Sequence, residues 1–292
     1  VDKNVTANLT DAGTAAAQGC PHAARAAAAA AAAAVAATDR DDIAGAMLHA
    51  RDMTEALPSA AAPELYTFAQ VKSLMAEDHP LAITTAWIKS FLARPHKDLG
   101  RPGPVCPFVP GAISQDTLWL ASVEEGRGDR QAIIDIIARY RDLFLELEPK
   151  TGDSAMMKAM VIVFPNVPND DAGVIDEVQF ELKSQFVENG MMIGEFHERN
   201  DGGGLRNPDF RPLRSPIPSL AIRFMVETDL PFMNRPLYSP MVRAGFIRSY
   251  IRRLGTTISR HSFDVALNSL IAAQLQLRDE VGETVQQLST ML

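Results

Sequence analysis

Ala159-Met160-Val161-Ile162-Val163-Phe164-Pro165 is an unbroken apolar run stopped by a proline. Strand side chains point alternately to opposite faces, so a run with no polar alternation reads as a buried strand. Amphipathic helices flank it. Asp129–Leu147 sets Ile133, Ile136, Ile137, Tyr140, Leu143, Phe144 and Leu147 at helical spacing, and Gly173–Glu188 sets out Val174, Val178, Leu182 and Phe186. Asn189-Gly190 ends the second helix. Farther out, Thr117–Val123, Met191–His197 and Leu220–Glu227 read as strands. Leu65–Met75, Leu81–Leu92, Met241–Leu254 and His261–Leu292 read as helices. The predicted class is α+β: a small antiparallel or mixed sheet with helices on one face, ferredoxin-like in outline, with helical N- and C-terminal extensions. A Rossmann order does not fit, because Gly202-Gly203-Gly204 follows a strand without opening a helix.

Three regions follow from composition. Residues 1–62 are an Ala-rich arm, helical or partly disordered, with helices expected at Ala23–Ala37 and Asp41–Leu57. Residues 63–258 form the α+β catalytic or binding domain. Residues 259–292 form a terminal amphipathic helix, in which Phe263, Leu267, Leu270, Ile271, Val281, Val285 and Leu288 lie roughly on one face. That face packs on the domain or makes a homodimer seam. A net charge of −8 argues against nucleic acid as a partner, since phosphate binding needs clustered Lys and Arg. The longest apolar run, Ala26–Ala37, falls short of the roughly twenty residues of a membrane helix, so no membrane partner is expected. Two cysteines in a chain of 292 residues suit a reducing, cytoplasmic setting.

Three stretches could carry chemistry. Gly100-Arg101-Pro102-Gly103-Pro104-Val105-Cys106-Pro107-Phe108-Val109-Pro110 holds a thiol in a loop stiffened by proline. Both cysteines precede proline, at Cys20-Pro21 and Cys106-Pro107, an arrangement compatible with thiolate ligation of haem iron and equally with a buried structural thiol or a nucleophile. His96 and Arg101 in and beside this loop are candidate substrate-binding residues. The second stretch, Met191-Met192-Ile193-Gly194-Glu195-Phe196-His197, puts Glu195 and His197 on one strand face, as base and orienter or as ligand and supporting partner. Met192 and Phe196 would wall a macrocycle. In the third, Gly204 to Pro218, Arg206, Arg211 and Arg214 stand within nine residues of a proline-rich loop. Their planar forks suit a carboxylate-bearing substrate or haem propionates, or they pair with nearby acids. Arg248, Arg252 and Arg253 read as a solvated helix face.

The motifs GRPGPVCPF, DTLWLA, MIGEFH and GLRNPDFRPLRSPIPSLAIRFMV, occurring in that order, resemble an uncharacterised bacterial domain family often encoded near genes of specialised metabolism. The resemblance covers about residues 79–255. It implies that Cys106, His197 and Arg206 belong to a site, and implies no reaction.

Three functions remain open. In the first, the protein is a haem-dependent oxidoreductase acting on a small amino-acid-like or carboxylate-bearing metabolite. Cys106 or His197 ligates the metal, Arg206 and Arg214 hold propionates, and Met192 and Phe196 enclose the ring. In the second, no cofactor is used: Cys106 is nucleophile, His197 base and Glu195 its orienter, with Arg206 on the substrate carboxylate. In the third, the domain binds a small ligand or a partner without catalysis. The sequence leans to the first. All three require the loop thiol, the imidazole and the arginine loop to converge.

Overall fold

A computed structural model describes residues 64–125 and 129–291; the Ala-rich arm, its two expected helices and Cys20 lie outside the described residues. Strands β1 (Tyr66–Thr67), β2 (Leu118–Ser122), β3 (Ala159–Val163), β4 (Met191–Phe196) and β5 (Ser219–Phe224) form a mixed sheet in the order β1-β2-β3-β5-β4. Its centre is the apolar run. β3 pairs parallel with β2 from Leu118↔Ala159 to Ser122↔Val163, and antiparallel with β5 from Ala159↔Arg223 to Val163↔Ser219. β5 also pairs antiparallel with β4, so the last strand slots between two that precede it. The class is α+β, as expected, and the sheet is mixed.

Both sheet faces are covered, where helices were expected on one. The reason lies in β3. Met160 and Ile162 face a core built with α4 (Arg130–Glu146) and α6 (Gly173–Glu188). Val161 and Val163 face a second core, built with α1 (Phe68–Leu74), α2 (Pro80–Trp87), the π-turn Ile88–Leu92 and α3 (Val109–Ser114). A strand apolar on both sides needs cover on both. A third core joins α6 and Met192 of β4 to α7 (Leu230–Met233), α8 (Pro240–Leu254) and α9 (Arg260–Met291). A further short helix, α5 (Gly152–Met156), precedes β3.

Local signals set the ends of these elements. Asp129 caps α4 by accepting from the backbone N–H groups of Gln131 and Ala132. Thr67 and Gln70 form a reciprocal capping box, which starts α1 at Phe68 and frees Tyr66–Thr67 for the sheet. Arg252 and Arg253, expected on a solvated face, instead donate to the carbonyl of Glu188 at the end of α6. Cationic groups are favoured there by the helix dipole.

Lys158 closes α4 from inside the core. Its side chain is fully buried, and its Nζ donates to the carbonyls of Phe144 (2.8 Å) and Leu147 (2.7 Å). The ammonium sits 4.6 Å from the Phe144 ring centroid, and burial pulls its pKa down. Lys158→Met keeps the aliphatic stem but leaves both carbonyls without a donor. The expected loss of stability is about 2–3 kcal/mol, read by urea denaturation. A loss below about 0.5 kcal/mol would contradict this role.

Candidate functional site

The chain between α2 and α3 folds back on itself as a braced loop. Val105 N–H donates to the Arg94 carbonyl (2.8 Å), Cys106 N–H donates to the Leu92 carbonyl (2.9 Å), and Pro95 bridges to Pro104. Gly100 turns the chain at φ 74°, and a side chain there would meet the Cβ of Arg206 at 3.0 Å. Arg101 braces its own loop, donating to the carbonyls of Pro102 and Val105.

The arginine-bearing connection from β4 to β5, residues 197–218, closes over this loop. Asn207 Nδ2 donates to the Asp98 carbonyl (2.8 Å). Phe210, buried, stacks on His96 with ring centroids 4.7 Å apart and tilts against Phe91 at 6.0 Å. On the helix, Trp87 stacks with Phe91, four residues on, and meets Phe196 edge-on at 5.7 Å. The two loops and the end of α2 therefore enclose an open cleft of about 670 Å³. Trp87, Phe91 and Phe210 form its apolar wall, while Asp98, Asp209, Arg211 and Arg214 bring both signs of charge to it.

The arginines are only partly engaged. Arg214 donates from Nε to the Asn200 carbonyl (3.1 Å) and from Nη2 to Asp201 (2.9 Å). Arg211 donates from Nη1 to the Pro208 carbonyl and approaches Asp201 from Nε at 3.9 Å. A guanidinium has five N–H donors, so each retains donors for a ligand. His96 Nδ1 accepts from the Asp98 N–H at 3.2 Å, which puts the proton of the neutral ring on Nε2.

The structure thus gathers His96, Arg211, Arg214 and Phe196 at or beside one cleft, and places the other expected site residues elsewhere. Arg206 is exposed, with its stem on Gly100. Met192 is buried in the third core, away from the cleft. Cys106 is half-buried against the second core, on the side of Arg223, and is not among the residues lining the cleft. The Arg223 guanidinium lies 4.7 Å from the Phe108 ring centroid and is held by the buried carboxylate of Asp229.

His197 sits across the sheet from Cys106. It is buried, and its Nε2 lies 3.0 Å from both carboxylate oxygens of Asp176 in the first turn of α6. A carboxylate only accepts, so Nε2 carries the proton; Nδ1 is buried with no hydrogen-bond partner. Glu195 was expected to orient this ring, but the orienting acid is Asp176. Residues two apart on a strand stand side by side, whereas α6 packs across them and can reach the ring.

Glu195, half-buried, lies instead within electrostatic reach of the buried Lys183 ammonium. Lys183 Nζ donates to the hydroxyl of Tyr238 (2.6 Å) and the carbonyl of Phe232 (3.2 Å). Burial pushes the Glu195 carboxyl up to about 7, with nearby Asp176 adding to the rise; burial pulls Lys183 down to about 8. A carboxyl whose folded pKa is raised stabilises the fold fully below its unfolded pKa near 4.5, and loses that contribution as pH rises through 7. Lys183, with its pKa lowered to about 8, keeps most of its charge across that window. Denaturant unfolding between pH 4.5 and 7.5 is therefore expected to show a fall of about 1–2 kcal/mol that Glu195→Gln removes. An unchanged slope in Glu195→Gln would contradict the assignment.

Sequence reading missed the cleft's wall. In sequence, Trp87 and Phe91 are two aromatics four residues apart within the expected Leu81–Leu92 helix, a spacing that fits core packing as well as a cleft wall. Phe210 stands beside Arg211 in a polar, proline-rich stretch, where nothing local marks it as a wall residue. Asp176 and Lys183 carried no local signal, because only packing of α6 on β4 brings them to His197 and Glu195. No group of three or more His, Cys, Asp or Glu side chains placed to hold a metal ion occurs among the described residues, and no helix among them is long and apolar enough to cross a membrane.

Comparison with known proteins places this geometry in a family. The chain belongs to the family described as Domain of unknown function (DUF6875), whose match spans residues 81–264, more than half of the chain. That span includes the whole cleft and most of the sheet. No curated protein and no solved structure matches the chain.

Proposed function

We propose that this DUF6875 protein binds a small amino-acid-like metabolite, bearing a carboxylate and an ammonium group, in the cleft between α2 and the 197–218 connection. The observation that carries the reading is the convergence of three aromatic rings and charges of both signs, from separate parts of the chain, on one opening. Its volume falls within the range of about 300–1,000 Å³ usual for small-molecule sites. The unspent N–H groups of Arg211 and Arg214 suit a carboxylate. Asp98 and Asp209 suit an ammonium group. Trp87, Phe91 and Phe210 suit a flat apolar side chain. We place the metabolite in bacterial specialised metabolism, the setting implied by the motif resemblance.

The reading is one of binding. A haem at this cleft would need an axial ligand there. Cys106 and His197 do not line it, and His197 offers Nε2 to Asp176. His96 accepts at Nδ1, which leaves its proton on the Nε2 that would have to ligate. The donor set does not fit the group, and no redox step is derived through it.

Calorimetric titration of the full chain tests the proposal with three probes: L-phenylalanine, 3-phenylpropanoate and 2-phenylethylamine. The zwitterion is expected to bind with a Kd of about 1 mM or tighter, and the acid and the amine at least about tenfold more weakly. No saturable heat with any probe, or equal affinity for all three, would overturn it.

A further inference from the structure

The terminal helix α9 presents a second apolar stripe that the domain does not use. Ala266 and Ala273 are buried, and Leu270 packs with them toward the α8 core. On the opposite side, Leu267, Ile271 and Leu275 are 40%, 49% and 46% exposed. Of the single face expected from the sequence, Leu270 therefore belongs to the docked side and Leu267 and Ile271 to the open one. Steps of four residues keep the open three on one stripe. Asp264 and Arg278 continue that stripe at its two ends, three residues beyond Leu267 and Leu275. Both are exposed, and their present partners are exposed neighbours in the same helix, Arg260 and Asp279.

This stripe is symmetric about Ile271. Leu267 and Leu275 lie four residues to either side, and Asp264 and Arg278 seven. We propose that the stripe is the seam of a homodimer, in which α9 packs antiparallel on α9 of a second copy with the two-fold axis at Ile271. The charges choose both the occupant and the direction. In the antiparallel arrangement, Asp264 faces Arg278 of the second copy at both ends, and each leucine faces the other leucine. A parallel arrangement would set Asp264 against Asp264 and Arg278 against Arg278. An isologous interface requires such a self-complementary patch. The stripe begins at the last residue of the family match, so the seam is an addition to the shared domain.

Sedimentation equilibrium of the full chain tests this. The wild type is expected to dimerise. Ile271→Asp is expected to raise the dimer dissociation constant about tenfold or more. Asp264→Arg and Arg278→Asp, each creating two like-charge contacts per dimer, are expected to raise it about fivefold. Combining the two reversals restores opposite charges across the axis and should return the constant to near the wild-type value. All three positions are exposed, so melting temperatures should match the wild type at dilutions where every protein is monomeric, which separates a lost seam from a lost fold. A monomer at every concentration overturns the proposal. So does a dimer indifferent to Ile271→Asp, which would use another surface. So does a double reversal no tighter than the single ones.

Discussion

Replacing Asp229 by alanine is expected to cost about 3–5 kcal/mol of stability. Asp229 is 1% exposed and accepts three hydrogen bonds: two from the Arg223 guanidinium and one, at 2.8 Å, from the Val226 N–H. Arg223 also donates to the Phe224 carbonyl and covers the Phe108 ring. Removing the carboxylate strands a largely buried cation on the sheet face that supports the cysteine loop. Burying an unpaired charge costs far more than forgoing the pair altogether. Urea denaturation should therefore give a double variant, Arg223→Met with Asp229→Leu, that recovers at least about half of the loss. Phe108 directly precedes α3 and lies two residues from Cys106. Alkylation of Cys106 should consequently be faster in Asp229→Ala than in the wild type. A double variant as unstable as Asp229→Ala would mean that the cost arises from something other than the stranded guanidinium.

Sequence and structure agree where the information is local. The β3 run, the 3–4 spacing of α4 and α6 and the Asn189-Gly190 stop marked those elements directly. Proline and glycine in the 100–110 loop marked a braced turn, and the backbone bonds of Val105 and Cys106 show the bracing. Boundaries moved where a side chain intervened, as at Thr67, whose capping box delays α1. What the sequence could not supply was the pairing of distant segments. Nothing local says that β5 inserts between β3 and β4, and that insertion decides which face each β4 side chain meets. Glu195 and His197 consequently face α6, while Cys106 lies beyond the sheet. The thiol, the imidazole and the arginine loop were expected to converge; only the arginine loop and the segment carrying His96 do. The aromatic wall was hidden for the opposite reason. A Trp and two Phe on core-like segments are usually packing residues, and only the cleft distinguishes them.

The second large effect concerns ligand binding. Trp87 supplies the broadest wall of the cleft and is itself held by Phe91 and Phe196. Trp87→Ala deletes that wall and should weaken binding of a phenylalanine-like zwitterion about 30-fold or more, to where calorimetry sees none. Arg211→Gln leaves the wall but removes the cation, so the zwitterion should lose its advantage over the amine, with the amine's own affinity changed less than about threefold. The two substitutions thus separate the apolar half of recognition from the ionic half. Trp87 also packs against the second core, so Trp87→Leu, which keeps apolar bulk there, is expected to weaken binding in the same direction, and circular dichroism of each variant separates a lost wall from a lost fold.

Trp87 also provides the most direct measurement. The chain has two tryptophans, and the other, Trp119, packs against the α4–α6 core on the far face of the sheet. In Trp119→Phe protein, all tryptophan emission comes from the cleft wall. Titration with L-phenylalanine is predicted to shift that emission along a saturable curve whose midpoint matches the calorimetric Kd. Emission that stays flat through tenfold above that concentration, in protein that is folded by circular dichroism, would contradict binding at this cleft.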